Sequence, residues 1–561
     1  MAAPRRVSNY PTPSREPRGS PEPSPPRHRA RWVLAALLAV VIVVAAVEFV
    51  PGLLHSGGPA GGGGGGTTSH TALTISSSGG GMVSDQFLGL NVRPDASFGT
   101  YEQSLVLGTT VTLLRWPGGG LADRYNGTAF GGQGVIYNDD GTNYTATASL
   151  TAFAAWCLSV RCSVIYTLPA EIANPSAAAY MVAWIEGHLG LHPAYWEVGN
   201  EPALWTHFGI PWSGWSTSQA ISPTASAFAS LAESYAIAIH RVDPTARILG
   251  MGGLGKGGAQ ERTWINTTLQ DGLQAGVESF AGVAVHVYPP GAGYPGESDE
   301  QVYASLNGSS SLSSRLEADW AAVRSTCSSC VLLADEVGAG TGNALSSFMT
   351  GFPMASFTAA EVIQGMESNV TSLDYFVLEG GYPGAWTPAP GANPHEVYAL
   401  YQTLLAKLGP TWLPVVANPS VPNLFAIATS GPAGDILFVV NCDQNRSVGL
   451  DLAGSGFPLS SAGSAWSWGP SSSTPTGSSW SQGGPTSWTL ASEGLLLLVS
   501  SSPFQLTAAP TLAGASAGAS PASLQPSPPG GLPWTSEGLA FWRLSEPPVL
   551  LSRGGRLASF I

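Results

Sequence analysis

Two glutamates stand at the ends of short apolar runs that read as β-strands. Glu201 closes YWEVGNE (Tyr195–Glu201) and Glu336 closes VLLADE (Val331–Glu336). Two carboxyl groups brought together from separate strands suit the cleavage of an acetal. One protonates the departing oxygen, and the other attacks the anomeric carbon or activates water. Asn200, beside Glu201, supplies an amide to hold a substrate hydroxyl. A His-x-Tyr pair, His286 and Tyr288, ends GVAVHVY (Gly282–Tyr288), and Tyr288 is placed to donate a hydrogen bond to Glu336 and keep it ionised. Arg115 ends VTLLRW (Val111–Trp116) and Asn91 lies at the end of FLGLNV (Phe87–Val92). Glu379 lies on YFVLEG (Tyr375–Gly380), with Trp386 shortly after. Strand ends carry some polar residues simply because they face water. That explains poorly a set of Arg, Asn, Glu, His and Tyr at the ends of six apolar strands.

Two further carboxylates get structural assignments. Asp335 directly precedes Glu336, so strand alternation sends it to the opposite face, as a packing or salt-bridge residue. Glu197 shares a face with Glu201 but lies deeper, as a buried structural carboxylate. Arg115 has a structural reading too, bracing the carboxylates from below. Aromatic residues near the strand ends (Trp116, Trp205, Trp212, Trp215 and Tyr294) either stack on sugar C–H faces or pack as ordinary core. The Trp205–Trp215 cluster is expected to line a cleft. Basic residues nearby are few (Arg115, Arg124, Lys256), which favours a neutral glycan over a sulfated polyanion.

The elements that must position these groups repeat. The six runs above are joined by SVIYTL (Ser163–Leu168) and RILGMG (Arg247–Gly252) to make eight, with helix-like segments such as Ala177–Leu189, Ala225–Arg241, Leu316–Arg324 and Glu396–Leu408 between strands. Alternating strands and helices imply parallel pairing, and eight units fit a (β/α)8 barrel. Such a barrel carries its chemistry at the C-terminal strand ends, where these residues stand. An open doubly wound sheet is the rival, but no Gly-rich phosphate loop follows the first strand. Beyond Pro414 the runs LFAIATS, DILFVVN, SAWSWG, SWTLA and GLLLLVS read as an antiparallel β-sandwich, which TALTIS (Thr71–Ser76) is placed to join.

The flanks differ from this body. Of 561 residues only 10% are charged, 22 Lys+Arg against 36 Asp+Glu, while Gly (70) and Pro (45) are abundant and unevenly placed. A formal charge of −14 argues against a nucleic-acid partner, whose phosphates need a basic face. Residues 1–32 are Pro/Ser/Arg-rich and expected to be disordered. Val33–Val50 is an 18-residue apolar run interrupted only by Glu48, long enough to cross a bilayer. The arginines before it put the N-terminus in the cytoplasm and the body outside. The length of the leader favours a signal anchor over a cleaved signal peptide. Residues 51–70 read as a Gly-rich tether, 71–410 as the barrel (71–84 joining the sandwich), 411–502 as the sandwich and 503–561 as a disordered tail. Cys157/Cys162 and Cys327/Cys330 form close local pairs suited to small disulfides. The sequons at Asn126, Asn143, Asn266, Asn307, Asn369 and Asn445 are compatible with export.

WEVGNEP (Trp196–Pro202), VHVYPP (Val285–Pro290) and LLADEVG (Leu332–Gly338), in this order, resemble the retaining glycosidases of the large (β/α)8 clan A. The resemblance covers about Phe87 to Leu400. It implies Glu201 as acid/base, Glu336 as nucleophile and Arg115, Asn200, His286 and Tyr288 as their supporting shell. RWPGGGLADRYNG (Arg115–Gly127) is similar to the Arg-x-Pro-Gly-Gly loop of α-L-arabinofuranosidases. The GNEP stretch and the layout resemble the β-xylosidase/iduronidase and β-glucuronidase/heparanase-like families. The eighth strand departs from the clan pattern of a terminal Trp, since Glu379-Gly-Gly comes first and Trp386 follows seven residues later. The resulting expectation is a membrane-tethered, extracytoplasmic retaining glycosidase acting on an oligo- or polysaccharide, with no metal or organic cofactor. Its rivals are a non-catalytic glycan-binding protein on the same barrel and a transglycosylase using the same residues.

Overall fold

The computed structural model describes residues 68–506, except 139–141, 173, 211–220, 253–258, 275–279, 289–297, 340–345, 381–383 and 433. The N-terminal leader, the Val33–Val50 run, most of the Gly-rich tether and the C-terminal tail lie outside the described residues. Among the described residues, no helix is long and apolar enough to cross a membrane.

Eight short strands pair in parallel into a closed barrel: β1 (Leu88–Asn91), β2 (Leu113–Trp116), β3 (Ser163–Leu168), β4 (Tyr195–Val198), β5 (Ile248–Met251), β6 (Gly282–Val287), β7 (Val331–Val337) and β8 (Ser372–Tyr375). Helices α1 (Thr100–Leu107), α2 (Leu150–Val160), α3 (Pro175–Trp184), α4 (Ala225–His240), α5 (Ala259–Gln274), α6 (Leu312–Thr326), α7 (Phe352–Glu367) and α8 (Glu396–Thr403) follow the strands in turn. The strands are apolar on both faces because one face fills the barrel and the other meets the helices. Hence β2, β4 and β5 are buried at every position. Local signals start the helices. Ser149, Asn174, Thr224 and Ser311 each accept a backbone N–H one turn ahead, and Pro175 follows its Asn cap.

The expected eighth strand is displaced. The ladder uses Ser372–Tyr375, whereas Phe376–Gly380 runs past it. There the Leu378 N–H donates to the Asn91 carbonyl and Glu379 bridges Thr387. Phe376, Val377 and Leu378 are buried, so the apolar run reports burial in a loop rather than a place in the ladder.

The C-terminal β-region is one ten-stranded sheet. Thr411–Asn418 changes layers along its length. Its first half pairs with Leu424–Gly431 and its second half with Ser69–Ile75, which also lies parallel to Val448–Asp451. A strand that switches layers joins into one hydrogen-bonded sheet what the sequence suggests as two. Strand alternation divides the apolar residues of Gly434–Asn441. Leu437 and Val439 enter the internal core with Leu73, Leu450 and Leu498, while Ile436, Phe438 and Val440 join the barrel's core. Helix α7 lies between the two bodies, which explains why it is buried nearly all round; its Phe352 meets Trp468 edge-on at 4.9 Å. Cys157–Cys162 and Cys327–Cys330 are disulfides, and Cys442 is free and buried.

Candidate active site

Arg115, fully buried at the end of β2, is the hub of the barrel mouth. Its Nε and Nη2 donate to the two oxygens of Glu197 at 2.7 and 2.8 Å. Nη1 donates to Glu336 Oε1 at 2.6 Å and to Asn91 Oδ1 at 3.1 Å, and Nη2 also reaches Asn200 Oδ1 at 2.9 Å. Asp335 Oδ2 lies 2.9 Å from Nε. Thr167 adds a hydroxyl to Glu197 at 2.7 Å, and Asn91 Nδ2 donates to the Asp335 carbonyl at 2.7 Å. Burial works against the charged guanidinium, but Glu197, Asp335 and Glu336 together outweigh it and hold its proton more firmly than usual. Burial also works against the Glu197 carboxylate, yet Arg115 and Thr167 bring it below the usual carboxylate range. Burial, and after it Glu197, push Asp335 above the usual carboxylate range, against the pull of Arg115.

Above this hub the expected pair comes together. The His286 ring nitrogen Nδ1 lies 3.1 Å from Glu201 Oε1 and 3.4 Å from Glu336 Oε2. Since both oxygens touch one nitrogen, at 3.1 and 3.4 Å, they stand no more than 6.5 Å apart. Tyr288 donates its hydroxyl to Glu336 Oε2 at 2.9 Å, the contact anticipated from the sequence. The Glu336 side chain is 6% exposed and that of Glu201 23%, so the two sit at different depths in the mouth. His286 is itself fully buried. Burial pulls its proton affinity down, but Glu336, Glu201 and Asp335 more than reverse this and raise its pKa to about 9. The site therefore sets two basic side chains, Arg115 and His286, among four carboxyl groups.

One assignment from strand alternation is corrected. Asp335 does not face away from the barrel; its carboxyl reaches Arg115 at 2.9 Å and lies 3.7 Å from His286 Nε2. The cause is a β-bulge. Opposite β6, Val285 pairs with Ala334 and His286 with Glu336, leaving Asp335 as the extra residue; opposite β8 the register breaks at the same place. The bulge cancels the alternation for one step, so consecutive residues both serve the mouth. The salt-bridge role expected of Asp335 stands. Glu197 is the buried structural carboxylate its depth suggested.

The aromatic residues are also reassigned. Trp205 is buried, with its indole N–H shared between Asp123 Oδ2 and the Asn200 carbonyl, both at 2.8 Å; it braces the Glu201 loop instead of lining a cleft. Trp116 stacks on Phe153 at 4.3 Å inside the core. Trp386 is fully buried against Tyr398 and Tyr401, which takes it out of any sugar-binding floor. Glu379 is buried and accepts from the Ser97 N–H at 3.2 Å and the Ser97 hydroxyl at 3.3 Å, apart from the Arg115 cluster. Trp212, Trp215, Tyr294 and Lys256 lie outside the described residues. Three supporting residues, Asp123, Glu171 and Thr167, carry no signal in the sequence. Asp123 and Glu171 follow β2 and β3, as barrel chemistry requires, but nothing in their spacing marks them. Glu197, His286 and Asp335 bring donor atoms within 4.8 Å of one another. Arg115 already lies against both carboxylates, so the set is satisfied by a guanidinium and does not suit a metal ion.

No protein-family model matches this chain. No curated protein matches it either. Solved structures do share its fold. A bifunctional glucanase-xylanase, CelM2, from a metagenome library superposes with a TM-score of 0.59 at 15% identity, over 78% of this chain and 100% of its own. AbfB, a family 51 α-L-arabinofuranosidase from Bifidobacterium longum, gives 0.58 at 17% identity, over 77% and 99%. A family 44 xyloglucanase from Paenibacillus polymyxa gives 0.55 at 13% identity, over 77% and 100%. The likeness spans barrel and β-region together and is one of fold.

Proposed function

We propose that this chain is a glycoside hydrolase in which Glu336 is the nucleophile and Glu201 the general acid/base, working by double displacement with retention. The observation that carries this reading is the shared contact of both carboxylates with His286, which brings Glu201 Oε1 and Glu336 Oε2 to within 6.5 Å of each other. Retaining enzymes hold their carboxyl groups about 5–5.5 Å apart, and inverting enzymes about 6.5–9.5 Å apart to admit a water. Arg115 and Tyr288 each give Glu336 a hydrogen bond, which fixes where its carboxylate points. In the first step a Glu336 oxygen attacks the anomeric carbon while Glu201 protonates the leaving oxygen. In the second, Glu201 takes a proton from water, which attacks the same carbon and releases Glu336. Asn200, held by Arg115, is the group beside the acid that meets a substrate hydroxyl.

The fold neighbours, named for arabinofuranosides, xyloglucan, glucan and xylan, support a neutral oligo- or polysaccharide of plant or microbial kind. Tethering by Val33–Val50, with the barrel outside the cytoplasm, belongs to the same proposal and rests on the sequence alone. The test of activity is a panel of aryl xyloside, arabinofuranoside, glucoside, galactoside and glucuronide, run on residues 68–561 beside Glu336→Ala. Release of an aglycone that the substitution abolishes supports the reading. Full activity in both Glu336→Ala and Glu201→Ala overturns it. Protease protection of tagged termini in intact cells tests the topology.

A further inference from the structure

Glu201 lies in an unusual stretch of backbone. It has φ +42°, a left-handed conformation sparsely populated by residues other than glycine, and Gly199, two residues earlier, has φ +75°. A Cβ on Gly199 would stand 2.5 Å from Trp205 Cζ2 and 3.1 Å from Asp123 Oδ1. Strain of this kind persists only where the surroundings impose it. The surroundings here are two buried carboxylates from neighbouring loops. Asp123, after β2, accepts the Asn200 N–H through Oδ1 and the Trp205 indole N–H through Oδ2, each at 2.8 Å. Glu171, after β3, accepts the Thr206 and His207 N–H groups through Oε1 at 3.0 and 3.1 Å, and its Oε2 receives Arg124 Nε at 3.1 Å. Between these anchors the Leu204 N–H closes back on the Glu201 carbonyl at 2.8 Å.

We propose that Asp123 is the positioning residue for the general acid/base, with Glu171 as its second anchor: together they clamp the backbone on both sides of Glu201 and hold its carboxyl beside His286. The proposal rests on the glycosidase reading above. It assigns Asp123 no contact with substrate. Both oxygens of Asp123 are taken by backbone and indole donors, so its influence on the reaction passes through the place of Glu201.

The test uses Asp123→Asn, which keeps the shape but turns an amide N–H toward one of the two donors and so loses one hydrogen bond. Two aryl glycosides of the sugar released in the panel separate positioning from general damage. A 2,4-dinitrophenolate departs without a proton, whereas an unactivated phenolate needs one from Glu201. The expected result is a fall in kcat/KM of about tenfold to a hundredfold for the phenyl glycoside and of less than about threefold for the dinitrophenyl glycoside. Equal losses on both, or none on either, overturn the proposal. Glu171→Gln should show the same dependence on leaving group at smaller size, which keeps the test open if Asp123→Asn does not fold. Amide hydrogen exchange over residues 196–206 is an independent readout: exchange should quicken in Asp123→Asn, and unchanged protection overturns the clamp. If the unsubstituted chain cleaves no aryl glycoside, the exchange experiment by itself decides whether the clamp exists.

Discussion

Tyr288 donates its hydroxyl to Glu336 Oε2 at 2.9 Å, across the gap between the ends of β6 and β7. Tyr288→Phe keeps the ring and removes the donor that aims Glu336, so the carboxylate is no longer held in its line of attack on the anomeric carbon. A fall in kcat/KM of about tenfold to a hundredfold, about 1.4–2.8 kcal/mol, is expected, with little change in Tm. Steady-state kinetics beside a thermal melt check this.

Arg115 carries a structural load as well as a functional one. Its guanidinium is fully buried against Glu197, Asp335 and Glu336. Removing one partner from a buried charge cluster leaves the others uncompensated, which costs about 3–5 kcal/mol. Arg115→Met should therefore lower the urea midpoint strongly as well as abolish turnover. A midpoint equal to that of the unsubstituted chain would show that the carboxylates simply take up protons in its place.

The raised pKa of His286 predicts a pH dependence of stability. The cation is favoured in the fold, so its contribution is fully present below about 6.5, the ordinary imidazole value, and is lost as pH rises through about 9. The size is on the order of 3 kcal/mol. Asp319 and Asp374, both raised to about 8 with burial as the leading cause, also lose stability with rising pH, but from the ordinary carboxylate range upward. Urea midpoints of the unsubstituted chain and His286→Gln between pH 6 and about 9.5 separate the two, since only the difference belongs to His286. That difference should shrink as pH climbs through about 9.

Trp386 offers a check on the reassigned aromatics. The ring is fully buried and packs against Tyr398 and Tyr401 at 5.4 and 4.9 Å. Trp386→Phe should lower stability and leave KM for the cleaved glycoside nearly unchanged. Trp386→Ala should cost about 3–5 kcal/mol. A rise in KM with stability intact would return the residue to the sugar-binding floor.

Much of this arrangement is legible in the sequence because it depends on local rules. Apolar runs of four to seven residues alternating with helical stretches lead to parallel pairing, and parallel pairing puts every strand's C-terminal end at one mouth. That is enough to collect Asn91, Arg115, Asn200, Glu201, His286, Tyr288 and Glu336 from five strands and to pair Tyr288 with Glu336. The eighth strand escapes the same reasoning, because Phe376, Val377 and Leu378 are apolar for burial and make no ladder.

What the tertiary structure alone decides are the properties that depend on non-local neighbours. A single bulge at Asp335, visible only against β6 and β8, reverses the face its position implies. Trp205, Trp386 and a sugar-stacking tryptophan are the same residue type, and only packing tells which rings are covered. Asp123 and Glu171 carry no motif, since a carboxylate that accepts backbone N–H groups of another loop is defined by where that loop passes. Chain order and composition determine which residues can reach the barrel mouth. Register, burial and the paths of the loops decide what each of them does there, because hydrogen bonds and charges act between neighbours in space.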